Sequence, residues 1–378
     1  MIKGNMNISN CIDNCCGCGA CGLACPKQAI TMKKNQHGFV YPIVDDKKCI
    51  DCGICINKCP VHDEIENESI AAFYGWNNDE VVRMKSSSGG IFSALADYVL
   101  ALNGVVYGAV FDPKTKTVEY KSTREVELDD IRRSKYTECY TNSVFSEIKR
   151  LLEGGIIVLF CGTPCHVAGL LTYLGKPFDK LITCDFVCGG AASPKFFREH
   201  LMKMEKKYRS HISSINFRDK KMGWKRMLFS VTFENRKVKS ILSYFDSYFN
   251  GFIEGIIKRE NCFSCKFSAN HYSDITIADY WGYLNAGVSY DRRGISMIIA
   301  NSKQGCNMIE KIRENVTLNN MDLDGTRYTI QPRIFNQEKF NRRNVFFQLA
   351  EKVGYECAAN ETYMKSPLKD LILSYIKR

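Results

Sequence analysis

The chain has 378 residues, 45% of them hydrophobic and 25% charged, with a formal net charge of +11. That length exceeds one typical domain, and the composition excludes a disordered or fibrous chain. Its 19 cysteines fall in metal-ligand spacings rather than a secreted disulfide framework, so a reducing cytoplasm is the expected compartment.

Met1–Asn10 is polar and too short to read as a signal peptide. Next comes one cysteine rhythm in two copies: Cys15-x2-Cys18-x2-Cys21-x3-Cys25-Pro26 and Cys49-x2-Cys52-x2-Cys55-x3-Cys59-Pro60. This is the bacterial ferredoxin run, and each copy supplies thiolates for a 4Fe–4S cube. Three close cysteines wrap one cube, and the fourth corner takes a sulfur from the other run. The expected sets are therefore Cys15, Cys18, Cys21 and Cys59, and Cys49, Cys52, Cys55 and Cys25. Zinc ribbons also use C-x2-C pairs, but a four-ligand zinc site leaves the triple spacing unexplained. Cys11 and Cys16 lie outside the pattern and read as bystanders.

A polar, acidic stretch, His62–Ser69, marks the expected boundary, giving a two-cluster ferredoxin-type domain over residues 1–68. Beyond it, Ala71–Trp76 reads as a strand, and Lys85-Ser-Ser-Ser-Gly-Gly90 leads into an amphipathic helix, Ile91–Leu102, with Ser87 or Ser88 as cap. Gly104–Phe111 is a strand closed by a Pro113 turn. Two helices follow, Glu127–Ser134 and one ending at Leu152. Ile156–Phe160 feeds Cys161-Gly-Thr-Pro-Cys165, where Thr163 and Pro164 start a helix to Leu174. Leu181–Val187 feeds Cys188, and Ser193 and Pro194 start a helix over Lys195–Tyr208. Ser214–Phe217, Leu228–Phe233, Ile275–Asp279 and Ile295–Asn301 are further strands, and the tail from Asn336 is mostly helical. The alternation predicts an α/β body with its site at the strand C-termini, divided as 69–150 and 151–378. Leu151–Gly175 is apolar, but its longest apolar run is only Ile156–Cys161. A span needs about 20 such residues, so no membrane span is expected.

Four body cysteines stand where a metal site would want them. Cys165 opens a helix, Cys188 begins a neighbouring βα loop, and Cys262-x2-Cys265 is a tight pair. They suit a third 4Fe–4S cluster, with buried free cysteines as the alternative. Ser88, Gly89 and Gly90 at a helix start offer backbone N–H groups to a pyrophosphate. No G-x-G-x-x-G fingerprint is present, so no NAD site is expected. Lys135 suits a phosphate or simply solvent, and His166 reads as packing or a hydrogen-bond partner. Arg218-Asp-Lys-Lys-Met-Gly-Trp224-Lys225 suits an anionic substrate tail or a solvated loop.

Residues 1–68 carry seven basic and eight acidic side chains, leaving +12 on the rest. A basic body implies anionic partners. Each cube with its thiolates adds about −2, bringing a three-cluster protein to roughly +5, and no nucleic-acid partner is expected.

The body resembles the family of coenzyme F420 hydrogenase/dehydrogenase beta subunits over roughly residues 71–320. The resemblance rests on Ser86-Ser-Ser-Gly-Gly-Ile91, Ser134-Lys-Tyr136, Gly162-Thr-Pro-Cys165, Asp185-Phe-Val-Cys188, Cys262-x2-Cys265 and Ser273-Asp-Ile-Thr-Ile-Ala-Asp-Tyr-Trp-Gly282. It implies an iron–sulfur flavoprotein in which Cys165, Cys188, Cys262 and Cys265 hold a cluster beside FAD. Ser88, Gly89, Gly90, Lys135 and Tyr136 are then the flavin contacts. His166 departs from the family's usual glutamine, and Arg133 from its usual glycine. The implied fold is a small ferredoxin-like module followed by a larger α/β flavin- and cluster-binding body. The implied activity passes electrons between an organic two-electron substrate, such as a deazaflavin or another conjugated compound, and the clusters. A ferredoxin or other redox protein is the expected macromolecular partner. The alternatives are a zinc-ribbon nucleic-acid binder and a flavin-free electron-transfer subunit.

Overall fold

A computed structural model describes residues 6–62, 69–284, 286–328, 330 and 333–364 of the chain. The expected boundary His62–Ser69 falls almost wholly outside the described residues, as does the end of the tail.

The two cysteine runs fold alike. Gly19 and Gly53 take nearly identical left-handed conformations, with φ of 77° and 72°, and start the short helices Ala20–Ala24 and Ile54–Asn57. A β-carbon is strained in that conformation, so glycine is what turns the chain back over the preceding cysteines. Between the runs lies an antiparallel hairpin, β1 (Ile30–Lys34) and β2 (Val40–Val44), which the sequence reading did not include. Two lysines end β1 and a proline interrupts β2, so the usual strand signature is weak.

Twelve further strands follow among the described residues. They are β3 (Ala71–Asn77), β4 (Val105–Asp112), β5 (Thr117–Ser122), β6 (Cys139–Tyr140), β7 (Val158–Gly162), β8 (Leu181–Phe186), β9 (Ile212–Asp219), β10 (Leu228–Phe233), β11 (Val238–Leu242), β12 (Ile275–Asp279), β13 (Ser296–Ala300) and β14 (Val316–Met321). Nine of these form one sheet in the order β14-β3-β13-β12-β8-β7-β4-β5-β6, and β11-β10-β9 form a second. In the large sheet β12, β8, β7 and β4 are parallel, while β13, β3 and β14 add antiparallel on one side and β5 on the other. The body is thus a mixed α/β sheet, drawing strands from both sides of residue 150.

Alternating residues of the parallel strands bury on opposite faces. Val105, Val158, Phe160 and Leu181 join the core beneath the helices Val144–Glu153 and Pro164–Leu174. Val106, Leu159 and Ile182 join the opposite core with Ile91, Leu95 and Val99 of the helix Ile91–Ala101. Strands apolar on both faces are what a doubly covered parallel sheet requires.

Helix starts separate the predictions. Thr163 and Pro164 begin the helix after β7, and Ser193 Oγ accepts from the Phe196 amide to cap Pro194–Tyr208. The serine cap expected for Ile91–Ala101 is absent. Gly90 occupies that position at φ 89°, Ser88 Oγ donates to the Ile295 carbonyl, and Ser87 Oγ accepts from the Ser134 amide.

Candidate iron–sulfur and cofactor site

In the N-terminal module one cavity draws cysteines from both runs. Cys25, Cys49, Cys52 and Cys55 line one cavity of about 20 Å³ together with Met6, Ile50 and Ile54. Cys59 lies instead within electrostatic reach of Cys15, and Cys21 is raised by burial foremost, then by Cys15 and Cys59, with a smaller contribution from Cys55. Backbone amides already point at sulfur: Gly17 N donates to Cys15 at 3.4 Å and Ala29 N to Cys25 at 3.3 Å. Burial raises Cys15 to about 11 and Cys59 to about 12. Thiols so buried ionise by binding metal, with release of protons. The donor set therefore fits iron–sulfur chemistry. Cys11 is paired with His62 Nε2 at 2.8 Å.

The body site forms where β7, β8 and β12 end. Cys165 is the second residue of the helix Pro164–Leu174, Cys188 lies in the loop after β8, and Cys262 sits in the turn Glu260–Ser264, just ahead of Cys265. All four line one cavity of about 250 Å³, and burial foremost, with Cys188 adding to it, raises the Cys262 and Cys265 thiols. Gly190 N donates to Cys188 at 3.3 Å and Ala191 N to Cys262 at 3.4 Å. Arg333 ties the two loops together, with Nη1 on the Cys262 carbonyl at 2.7 Å and Nη2 on the Cys188 carbonyl at 2.8 Å. Among the described residues no three His, Cys, Asp or Glu side chains are grouped for a single metal ion. A cube binds its thiolates at four separate irons, so its ligands stand apart.

The same cavity runs to the expected flavin contacts. Ser88, Gly90, Lys135 and Tyr136 line it, as do Arg133 and Arg218. Gly89 does not: its amide donates to Ser296 Oγ at 2.9 Å, and a β-carbon on it would stand 2.5 Å from the Gly75 carbonyl. Lys135 turns its ammonium to the carbonyls of Asp130, Ile131 and Arg132 at 2.7, 2.9 and 2.7 Å, so its three donors close a short helix rather than reach outward. Burial lowers it to about 7. Tyr136 sits among Phe217, Phe249 and Phe252 and accepts from Arg218 Nη1 at 3.2 Å.

Arg218 is 4% exposed and also donates from Nη1 to Asp279 at 2.6 Å. Burial works against its charge, but Asp279 and Tyr136 outweigh burial and hold it above the usual range. Among the described residues its Nη2 is buried without a partner, as is Arg133 Nε. An unpartnered guanidinium nitrogen at a cavity is costly unless an acceptor arrives, so the wall fits an anionic group. His166 hydrogen-bonds Tyr120 through Nδ1 at 3.1 Å, and burial holds its imidazole below the usual range.

Three participants carried no usable sequence signal. Cys16, read as a bystander, is buried at this cavity with its thiol against Cys165 and Cys18. Arg259, 1% exposed, donates to Glu138 at 2.8 Å and to the carbonyls of Cys15 and Val40 at 2.8 and 2.9 Å, joining the module to the body. Arg333 is the third. Each is a lone side chain acting across more than 70 positions of sequence, and no spacing rule reaches that far.

Residues 72–146 match the N-terminal part of the coenzyme F420 hydrogenase/dehydrogenase beta subunit, and residues 157–325 match its C-terminal part. Residues 14–62 match the 4Fe–4S dicluster domain. The chain belongs to the family of coenzyme F420 hydrogenase/dehydrogenase beta subunits and carries an iron–sulfur domain of the ferredoxin type ahead of it. Among curated proteins it is similar to a subunit of the F(420)H(2) dehydrogenase of Methanosarcina mazei, 27% identical over 42% of this chain and 49% of the relative. It is also similar to an uncharacterized ferredoxin of Methanocaldococcus jannaschii, 34% identical over 13% of this chain and 64% of the relative. The chain thus spans about half the length of the first relative and just under two thirds of the second. Among solved structures, a chain of the F420-reducing NiFe hydrogenase complex of Methanosarcina barkeri aligns over 77% of this chain and 94% of its own, at 17% identity and a TM-score of 0.49. Among the described residues no helix is long and apolar enough to cross a membrane.

Proposed function

We propose that the chain is an iron–sulfur flavoprotein oxidoreductase that passes electrons between an organic two-electron substrate and three 4Fe–4S clusters. The observation that carries this reading is one cavity with four cysteines on one side and Arg218, Tyr136, Ser88 and Gly90 on the other. FAD, when bound, converts the two electrons of a hydride into single-electron steps. The chain's own residues would then bind and insulate. Cys165, Cys188, Cys262 and Cys265 would hold the body cluster, and Arg333 fixes two of their loops. Arg218 Nη2 and Arg133 Nε would accept an anionic group of the cofactor or substrate, while the Tyr136 aromatic cluster keeps water from that wall. Cys15, Cys18, Cys21 and Cys59, and Cys25, Cys49, Cys52 and Cys55, would hold the other two clusters.

The substrate class is an anionic conjugated compound such as a deazaflavin, and the electron partner a ferredoxin or other redox protein. The test is anaerobic purification with an absorption spectrum, cofactor extraction and metal analysis. The expected result is stoichiometric FAD with about 12 iron and equal sulfide per chain. A brown protein without extractable flavin would reduce the chain to an electron-transfer subunit, and zinc without sulfide would sink the scheme.

A further inference from the structure

The helix Pro164–Leu174 carries Cys165 and, four residues on, Gly169, and residues so spaced share a helix face. The first cysteine run lies on that face. Cys16 is buried and lines the same cavity as Cys165. A β-carbon on Gly169 would stand 2.8 Å from Cβ and 2.9 Å from Sγ of Cys18. Side chains do not approach that closely, so only glycine lets the helix backbone meet this cysteine. The approach is pinned on both sides, by Thr141 Oγ1 donating to the Cys18 carbonyl at 2.9 Å and Arg259 Nε donating to the Cys15 carbonyl at 2.8 Å. The cavity of the second cysteine set, by contrast, is lined by module residues alone.

We infer that the contact of Cys16 and Cys18 with the Cys165–Gly169 face is the point at which electrons cross between body and module. The inference rests on the reading above, in which Cys18 and Cys165 hold separate clusters. Cys16 is then a positioning residue, since each neighbouring set already numbers four. Its thiol fills the gap between two ligand sulfurs and excludes water there. A dry, short gap is what sets both the potentials and the coupling of adjacent clusters. Gly169 sets how short that gap is.

The experiment uses the full-length, cluster-loaded protein with Cys16→Ala, Cys16→Ser and Gly169→Ala variants. Iron and sulfide are counted, and the paramagnetic splitting between the body and inner-module signals is recorded in the fully reduced state. Cys16→Ala keeps about 12 iron per chain and loses part of the splitting, and Cys16→Ser, which refills the gap, recovers it. Gly169→Ala loses more, because its methyl pushes the Cys18 loop away. Gln36→Ala removes a module–body hydrogen bond to Glu351, 2.6 Å long and far in sequence from the contact, and leaves the splitting at the wild-type value. Wild-type splitting in both Cys16→Ala and Gly169→Ala at full iron would overturn the inference. So would loss of about four irons from Cys16→Ala, which would make Cys16 a ligand. Wild-type protein holding only about eight irons would instead defeat the reading beneath it, an outcome the iron count distinguishes.

Discussion

The eight cysteines of the module and the four of the body offer the same chemistry assembled in opposite ways. In the module, two left-handed glycines start two short helices, and the first three cysteines of each run follow one another at two-residue intervals. In the body, thiols from the ends of β7 and β8 and from the turn Glu260–Ser264 meet only because the sheet places those ends side by side. The module sites would therefore be set mainly by local backbone, with one sulfur of each borrowed from the other run. The body site is a property of topology, and the sheet must exist before the thiols converge.

The sharpest way to break the comparison is to remove single sulfurs. If the module sorts across its runs, Cys59→Ser and Cys15→Ser abolish the same paramagnetic signal, and Cys25→Ser abolishes the one that Cys49→Ser does. Loss of different signals from Cys59→Ser and Cys15→Ser means each run serves its own cube. Cys262→Ser should spare both module signals and the body fold, because the sheet does not depend on the metal. A protein that unfolds on losing Cys262 would put the body in the module's class.

A smaller effect is expected where the two regions join. Arg259 and Glu138 are a buried ion pair at 1% and 3% side-chain exposure. Glu138 Oε1 also accepts from the Val40 amide at 2.8 Å, so the pair holds the module from both partners. Arg259→Leu leaves the Glu138 charge buried and uncompensated, at a cost of about 3–5 kcal/mol. Calorimetry should then resolve an early transition for the module ahead of the body, and adding Glu138→Leu should return part of the loss. A single unshifted transition would show that other contacts carry the docking.

The same contrast explains what was legible in the sequence. The cysteine rhythm was, because its ligands are neighbours in the chain. Helix starts at Thr163 and Ser193 were, because caps are local. β5 was missed although Val118, Tyr120 and Ser122 alternate inward, because Lys114–Thr117 reads as the tail of the Pro113 turn. β14 was missed because Asn319 and Asn320 interrupt its apolar residues. Ser88 misled as a cap, since its hydroxyl serves the Ile295 carbonyl 207 positions away. The place of Cys16 was not legible for the same reason: it lines the cavity of Cys165, which lies on another element, and only the docked fold brings them together.

The mildest test concerns the tail, which bridges both regions. The helix Gln337–Val353 packs Phe347 on His37 of the module, with ring centroids 4.3 Å apart, and Tyr355 Oη lies 3.2 Å from His37 Nδ1. The helix Tyr355–Thr362 is held to the body by His200, which hydrogen-bonds Glu356 at 2.7 Å and Asp246 at 2.9 Å. Burial alone would lower His200, but Asp246 and Glu356 outweigh it and raise it to about 10, and the same contacts draw Glu356 down to about 2. His37 goes the other way, lowered to about 4 by burial despite Glu351. A histidine raised in the folded state contributes fully below its unfolded value near 6.5 and loses that contribution as pH climbs through 10. One lowered in the folded state contributes fully above 6.5 and loses its contribution as pH falls through 4. The Glu356 contribution is complete above about 4.5 and so does not move the optimum. Tail docking should therefore be strongest near pH 6.5 and weaken on both sides. Hydrogen exchange of residues 337–362, corrected for intrinsic rates, checks this. His200→Gln should flatten the alkaline limb alone and His37→Gln the acid limb alone; protection that stays level from pH 5 to 9 in the wild type would dismiss the latch.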